Sequence, residues 1–279
     1  MNQTVAPDFD KISLEHRDCP LCKTNNDNIT HSLYSDGRWK IRNCQSCGFV
    51  YIDKAPLYSY LSEELAWETT TKVEEVRRKK IRPFSFKISK LSRWRLHIFP
   101  RKSLPQLASK KFKPGNIIDV GCGDGLQLLG LSKNYTPHGI DVSKELATHA
   151  DKLFRKQGGY AIHAPALQGI KKLQDNFFSG AILRSYLEHE THPLEMLEET
   201  YRVLCARGIA LIKVPNFGSI NRIMMGKKWC GFRYPDHLNY FTPKSLMEMG
   251  KKCGFIVSFS LMGRLTTNDN IHAIFKKPA

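Results

Sequence analysis

Apolar residues recur along this chain with two different spacings, and the alternation between them predicts its elements. Ile117, Ile118 and Val120 form a short continuous apolar run between Pro114-Gly115 and a cluster of glycines, which suits a strand buried on both faces. Comparable runs fall at 138–142, 160–164, 178–185 and 209–214. Between them the spacing becomes helical: 126–133, then 144–157 closed by Gly158-Gly159. A third helix opens at Pro193, carries Leu194, Leu197, Tyr201 and Leu204 on one face, and ends at Gly208. Thr242-Pro243 opens another that Gly254 ends, and 255–261 with 271–275 supply two last strands, expected to be antiparallel. This order predicts the α/β class: a doubly wound, mostly parallel, seven-stranded sheet flanked by helices.

The part before Pro114 reads differently. Residues 1–18 are polar and without a period, so they read as a tail. Cys19-Pro-Leu-Cys22 is followed, after 21 residues, by Cys44-Gln-Ser-Cys47. Two such knuckles suit tetrahedral zinc, each offering two thiolates to one ion; a redox dithiol is the other reading. With 29–34 and 38–41 as short strands around the turn Ser35-Asp36-Gly37, residues 19–55 make a small zinc ribbon whose ion is structural. Residues 56–113 then form a connector, and 114–279 the α/β domain.

Composition adds three constraints. At 41% hydrophobic content, 279 residues hold one large domain and a small one. The 43 basic against 26 acidic residues give a net charge of +17, which attracts nucleic acid, phospholipid surfaces or phosphorylated substrates without choosing among them. Fifteen of the basic residues lie in 72–113, where Phe84, Ile88, Leu91, Trp94 and Ile98 outline a basic amphipathic helix. That helix reads as a cap over the α/β domain, a membrane-surface contact or a nucleic-acid face. No apolar run approaches the roughly eighteen residues that cross a bilayer, residues 1–10 lack signal-peptide character, and the cysteines suit a reducing compartment, so the expected location is cytoplasmic, with peripheral membrane contact as an option.

The chemistry concentrates after Asn116. The run Asp119-Val-Gly121-Cys122-Gly123-Asp-Gly125 ends a strand in a loop that lets backbone approach a ligand, and Asp141, sixteen residues on, closes the next strand where a carboxylate can accept both hydroxyls of a ribose. A dinucleotide fingerprint needs its third glycine one residue later, where Leu126 stands.

These residues resemble the class I S-adenosylmethionine (SAM)-dependent methyltransferases, whose first motif reads D-V-G-C-G-x-G. The resemblance covers roughly residues 105–279 and implies a Rossmann-like fold, SAM as cofactor, and cofactor contacts at Asp119, Gly121, Cys122, Gly123, Gly125, Asp141 and Arg184. The segment Leu187-Glu188-His189, with Pro193 four residues on, resembles the family's pocket-lining stretch, and Pro235-x-His237-x-x-x-Phe241-Thr242 one branch of its substrate loops. His189 and His237 are the candidate catalytic residues, each read either as a base near the acceptor or as a structural histidine. Residues 163–167 stand where the family meets adenine, and they assign no contact.

The implied function is methyl transfer to a small-molecule or carrier-linked sugar acceptor, chiefly at oxygen, with an anionic carrier suiting the basic connector. A ribosomal-RNA-type methyltransferase that docks RNA through its ribbon is the alternative, and a non-catalytic SAM-binding module is a third.

Overall fold

A computed structural model describes residues 13–57, 104–260, 263 and 265–279. The basic helix expected at 84–98 lies outside them.

The first strand, β1 (Leu14–His16), pairs antiparallel with β4 (Lys54–Pro56), so the end of the expected tail is part of the fold. The ribbon strands also differ from expectation. They are β2 (Ile41–Asn43) and β3 (Val50–Ile52), while 29–34 forms turns and only an isolated Asp36–Trp39 bridge remains of the expected hairpin. Serine side chains here bond nearby backbone, Ser32 Oγ accepting from Tyr34 N and Ser35 Oγ from Ile41 N, which competes with strand pairing. The apolar run Phe49–Ile52 is buried instead.

After α1 (Leu104–Lys111), the α/β domain runs through β5 (Gly115–Val120), β6 (Tyr135–Asp141), α2 (Lys144–Arg155), β7 (Tyr160–His163), α3 (Ala166–Lys171), β8 (Phe178–Arg184), α4 (Pro193–Val203) and β9 (Leu204–Pro215). It continues with α5 (Ile220–Met225), β10 (Asn239–Tyr240), α6 (Pro243–Lys252), β11 (Ile256–Phe259) and β12 (Asn270–Lys276). The seven-stranded sheet has the order β11-β12-β9-β8-β5-β6-β7. Its members are parallel except β12, which is antiparallel to both neighbours.

Two expectations change here. The helix at 126–133 reduces to a single 3₁₀ turn at Leu126–Leu128, because Gly130 disfavours continuation. The helix from Pro193 ends at Val203 rather than Gly208, and β9 begins at once, running through Gly208 with an irregular register opposite Phe178–Gly180. The segment 163–167, unassigned from sequence, carries Pro165 at the entry to α3.

One face of the sheet buries Ile117, Leu128, Phe154 and Phe112. The other buries residues of α3, α4 and α6 together with Phe49 and Tyr51 of the ribbon. The parallel register aligns Val120 with Ile140 and Asp141 with His163, so the carboxyl ends of β5, β6 and β7 share one edge. At β5 the winding reverses, with β6 on one side and β8 on the other, and such a switch point opens a crevice for ligands.

Candidate active site

A cavity of about 710 Å³ occupies that crevice. Gly121, Cys122, Gly123, Asp141 and Arg184 line it, and so do His189 and His237. Asp119 and Gly125 are not among its lining residues.

The loop after β5 takes its shape from glycines. Gly123 (φ +55°) and Gly125 (φ +77°) adopt the left-handed region that side chains disfavour. At Gly125 a Cβ would also stand 3.0 Å from the Phe154 ring, so this glycine seats the loop on α2 rather than facing a ligand. Cys122 turns its side chain inward: a Cβ on Gly139 would come within 2.5 Å of its Sγ, and burial pushes its thiol upward. Cys122 therefore serves as packing, and the glycine missing its Cβ at 139 is what admits it.

Asp141 accepts from Gly123 N at 2.8 Å and Ser143 N at 2.9 Å, tying the loop to the end of β6. A carboxylate has about four acceptor positions, so two backbone bonds leave it able to hold a ribose. Asp119 lies buried behind the loop, where burial pushes its carboxyl well above the usual range and the Arg184 charge offsets part of the rise. Arg184 itself donates to Gln127 Oε1 at 2.8 Å.

The opposite end of the cavity is built from two loops. After β8 the backbone passes through Ser185 at φ +54°, a strained position for a non-glycine, and then places Glu188, His189 and Glu190. Facing it, the loop between α5 and β10 contributes Trp229, Arg233, Asp236 and His237. The rings of His189 and His237 meet edge to face at 4.7 Å. His189 Nδ1 lies 2.9 Å from Asp236 O, and His237 Nδ1 lies 2.8 Å from Gly231 O. Burial and the Arg233 charge push His189 down to about 4, so it is neutral at physiological pH. Glu188 is 1% exposed, and burial pushes its carboxyl up to about 8 against the pull of Lys213 and Arg233. The sequence brought out the two histidines through their motifs. Arg233, Asp236 and Lys213 carry no local signal; only the fold points them into one space.

The cysteine cluster forms apart from this cavity. Cys19, Cys22, Cys44 and Cys47 converge with their sulfurs within 4.8 Å of one another. The pairs Cys19–Cys47 and Cys22–Cys44 stand at 3.5 and 3.4 Å, far beyond a disulfide bond and near the spacing a tetrahedral thiolate site requires. Burial pushes the Cys19 and Cys47 thiols upward, a cost that a cation would offset. These residues fit zinc.

The ribbon also bonds to the loops at this opposite end of the cavity. β10 is the third strand of the ribbon sheet, pairing Asn239 with Tyr51 and Tyr240 with Val50. Leu238 N and Asn239 N both donate to Glu188 O, at 2.7 and 3.1 Å, and Asn239 Nδ2 donates to Leu187 O and Glu190 O. Arg17, buried, donates to Ile52 O, Thr191 O and Asn239 Oδ1.

A family model for a methyltransferase domain matches residues 93–258. An uncharacterized protein of Methanocaldococcus jannaschii is 26% identical over 155 residues, which are 55% of this chain and 71% of that protein. A SAM-dependent methyltransferase from Thermotoga maritima is 19% identical, with 68% of this chain and 95% of that one covered at a TM-score of 0.48. A SAM-dependent methyltransferase from Archaeoglobus fulgidus is 17% identical, with 73% and 99% covered, also at 0.48. The family match spans more than half of a chain that already shows the glycine loop, the acidic end of the next strand and the doubly wound sheet, and the chain therefore belongs to the methyltransferase-domain family, among the class I SAM-dependent enzymes.

Proposed function

We propose that the protein transfers the methyl group of SAM to an oxygen of a small-molecule or carrier-linked sugar acceptor. The observation that carries this reading is one cavity that runs from Gly123 and Asp141 to Trp229, Arg233 and His237. Its volume of about 710 Å³ suits small-molecule ligands, which favours a compact acceptor over a folded RNA. Bound SAM supplies a methyl group on a positively charged sulfur. The chain's own part is positioning: Asp141 and the glycine loop hold the nucleoside, and the two loops at the far end hold the acceptor. There the acceptor's reacting oxygen meets the end of the cavity that Glu188, His189 and His237 line, and these side chains orient it toward the methyl group. Zinc in the four-cysteine cluster holds the ribbon that backs this wall. Among the described residues no helix is long and apolar enough to cross a membrane.

The test is incubation of the protein and methyl-labelled SAM with a soluble-plus-membrane extract, followed by separation of RNA, protein, lipid-linked and small-molecule fractions. Label in a small-molecule or lipid-linked glycan fraction, lost with Asp141→Ala, is the expected result. Ribonuclease-sensitive label would replace the sugar reading with RNA methylation through the basic connector. Cofactor binding without label in any fraction would favour the non-catalytic module.

A further inference from the structure

We infer that Glu188, His189 and His237 form a site for one divalent first-row cation, such as Zn²⁺, Mn²⁺ or Fe²⁺, at the acceptor end of the cavity. A Glu188 oxygen and one nitrogen from each ring lie within 4.8 Å of one another. Two histidines and one carboxylate are a ligand set that leaves coordination positions open for a substrate oxygen.

The surroundings of each ligand support the assignment independently. The Nδ1 atoms of His189 and His237 face the backbone carbonyls of Asp236 and Gly231 at 2.9 and 2.8 Å. A carbonyl only accepts, so each Nδ1 carries the proton and Nε2 is the ring atom of the kind that ligates metals. This outer arrangement fixes the tautomer and aim of histidines that bind metals. Glu188 supplies the second observation. It is 1% exposed and lines the cavity, yet its Oε2 has no hydrogen-bond partner. An unpaired buried carboxylate oxygen is costly, and a cation between the rings would satisfy it.

The spacing of the trio is held by backbone. Glu188 and His189 are adjacent after β8, and His237 precedes β10; the bonds from Leu238 N and Asn239 N to Glu188 O lock the two loops together. Arg233, which lines the same end, is paired with Asp236 at 2.9 Å, so its charge is partly offset.

The inference rests on the proposed reading only for the identity of the group that fills the open positions. An acceptor hydroxyl bound there becomes more acidic and releases its proton to water, with no change in oxidation state.

The site is tested without any acceptor. The full chain, with its cysteine cluster loaded with zinc, is titrated with Mn²⁺ while free Mn²⁺ is followed by electron paramagnetic resonance; carboxylate and water suit Mn²⁺, whereas four thiolates do not. One bound ion per chain is expected, weakened about tenfold or more by Glu188→Gln and by His237→Asn while SAM affinity is kept. His189→Asn replaces either variant that does not fold. Absence of both bound Mn²⁺ and a second equivalent of Zn²⁺ in the wild type would overturn the inference, as would an ion held equally well by the variants. Because the readout is metal binding, a failure to find a methylated sugar leaves it intact, and a failure here leaves the methylation test intact.

Discussion

Asp119 and Asp141 end neighbouring strands of one sheet, and their surroundings set them to different tasks. Asp141 receives two backbone N–H groups at the cavity edge, whereas Asp119 is buried behind the loop. Loss of the Asp141 carboxylate removes charge-assisted bonds worth about 1.5–3 kcal/mol each. Asp141→Ala is therefore expected to weaken SAM binding by about tenfold to a hundredfold, read by calorimetry; unchanged affinity would misplace the ribose. Asp119 predicts a pH effect. Its folded pKa is raised, so the native state holds the proton more tightly than the unfolded chain, and the stability it contributes is present below the unfolded value near 4 and lost as pH rises through the folded value. Asp119→Asn removes that loss. Melting curves should show the variant gaining on the wild type as pH rises from about 4 toward neutrality. A difference that stays flat with pH would mean that Arg184 compensates the charge fully.

Among the elements, β10 has the largest consequence for its length. Two residues long, it joins a loop of the α/β domain to a sheet whose other strands come from the ribbon, nearly two hundred positions earlier. Arg17 secures that junction, and burial lowers its guanidinium to about 10. It bonds three separate segments at once. Arg17→Met leaves Thr191 O and Asn239 Oδ1 without this donor, and the expected cost is about 3 kcal/mol or more, measured by denaturant unfolding. A near-neutral variant would show that the contacts are replaced by water. None of this was legible in sequence: Arg17 sat in a polar stretch without a period, and Asn239-Tyr240 sat in an aromatic loop without one. The alternating strands and helices after Pro114 were legible, because burial on one or both faces imposes a period on the residues themselves. The 3₁₀ turn at Leu126–Leu128 was not, since apolar spacing alone does not report how far a helix continues past a glycine such as Gly130.

At the scale of the whole molecule, the ribbon is bonded to the loops that carry Glu188 and His237, while the glycine loop and Asp141 stand on the sheet. Chelation of the cysteine-bound metal is therefore expected to raise amide hydrogen exchange in 187–191 and 229–240 along with the ribbon, and to leave SAM affinity unchanged. Exchange confined to 19–52 would show that the ribbon unfolds without disturbing the wall. What the sequence determined by itself was whatever is written in local pattern: the α/β class from strand and helix periods, the tight loop after β5 from the Gly121-x-Gly123-x-Gly125 spacing, and the cysteine cluster from paired knuckles. The tertiary structure alone decided what depends on residues distant along the chain. It carried Glu188, His189 and His237 into one cluster, bonded Arg17 to the neighbouring Asn239, and paired the ribbon with β10 behind the cavity-lining loops. Backbone pairing and burial act between segments that no local period relates, so their outcome becomes visible only in the folded chain.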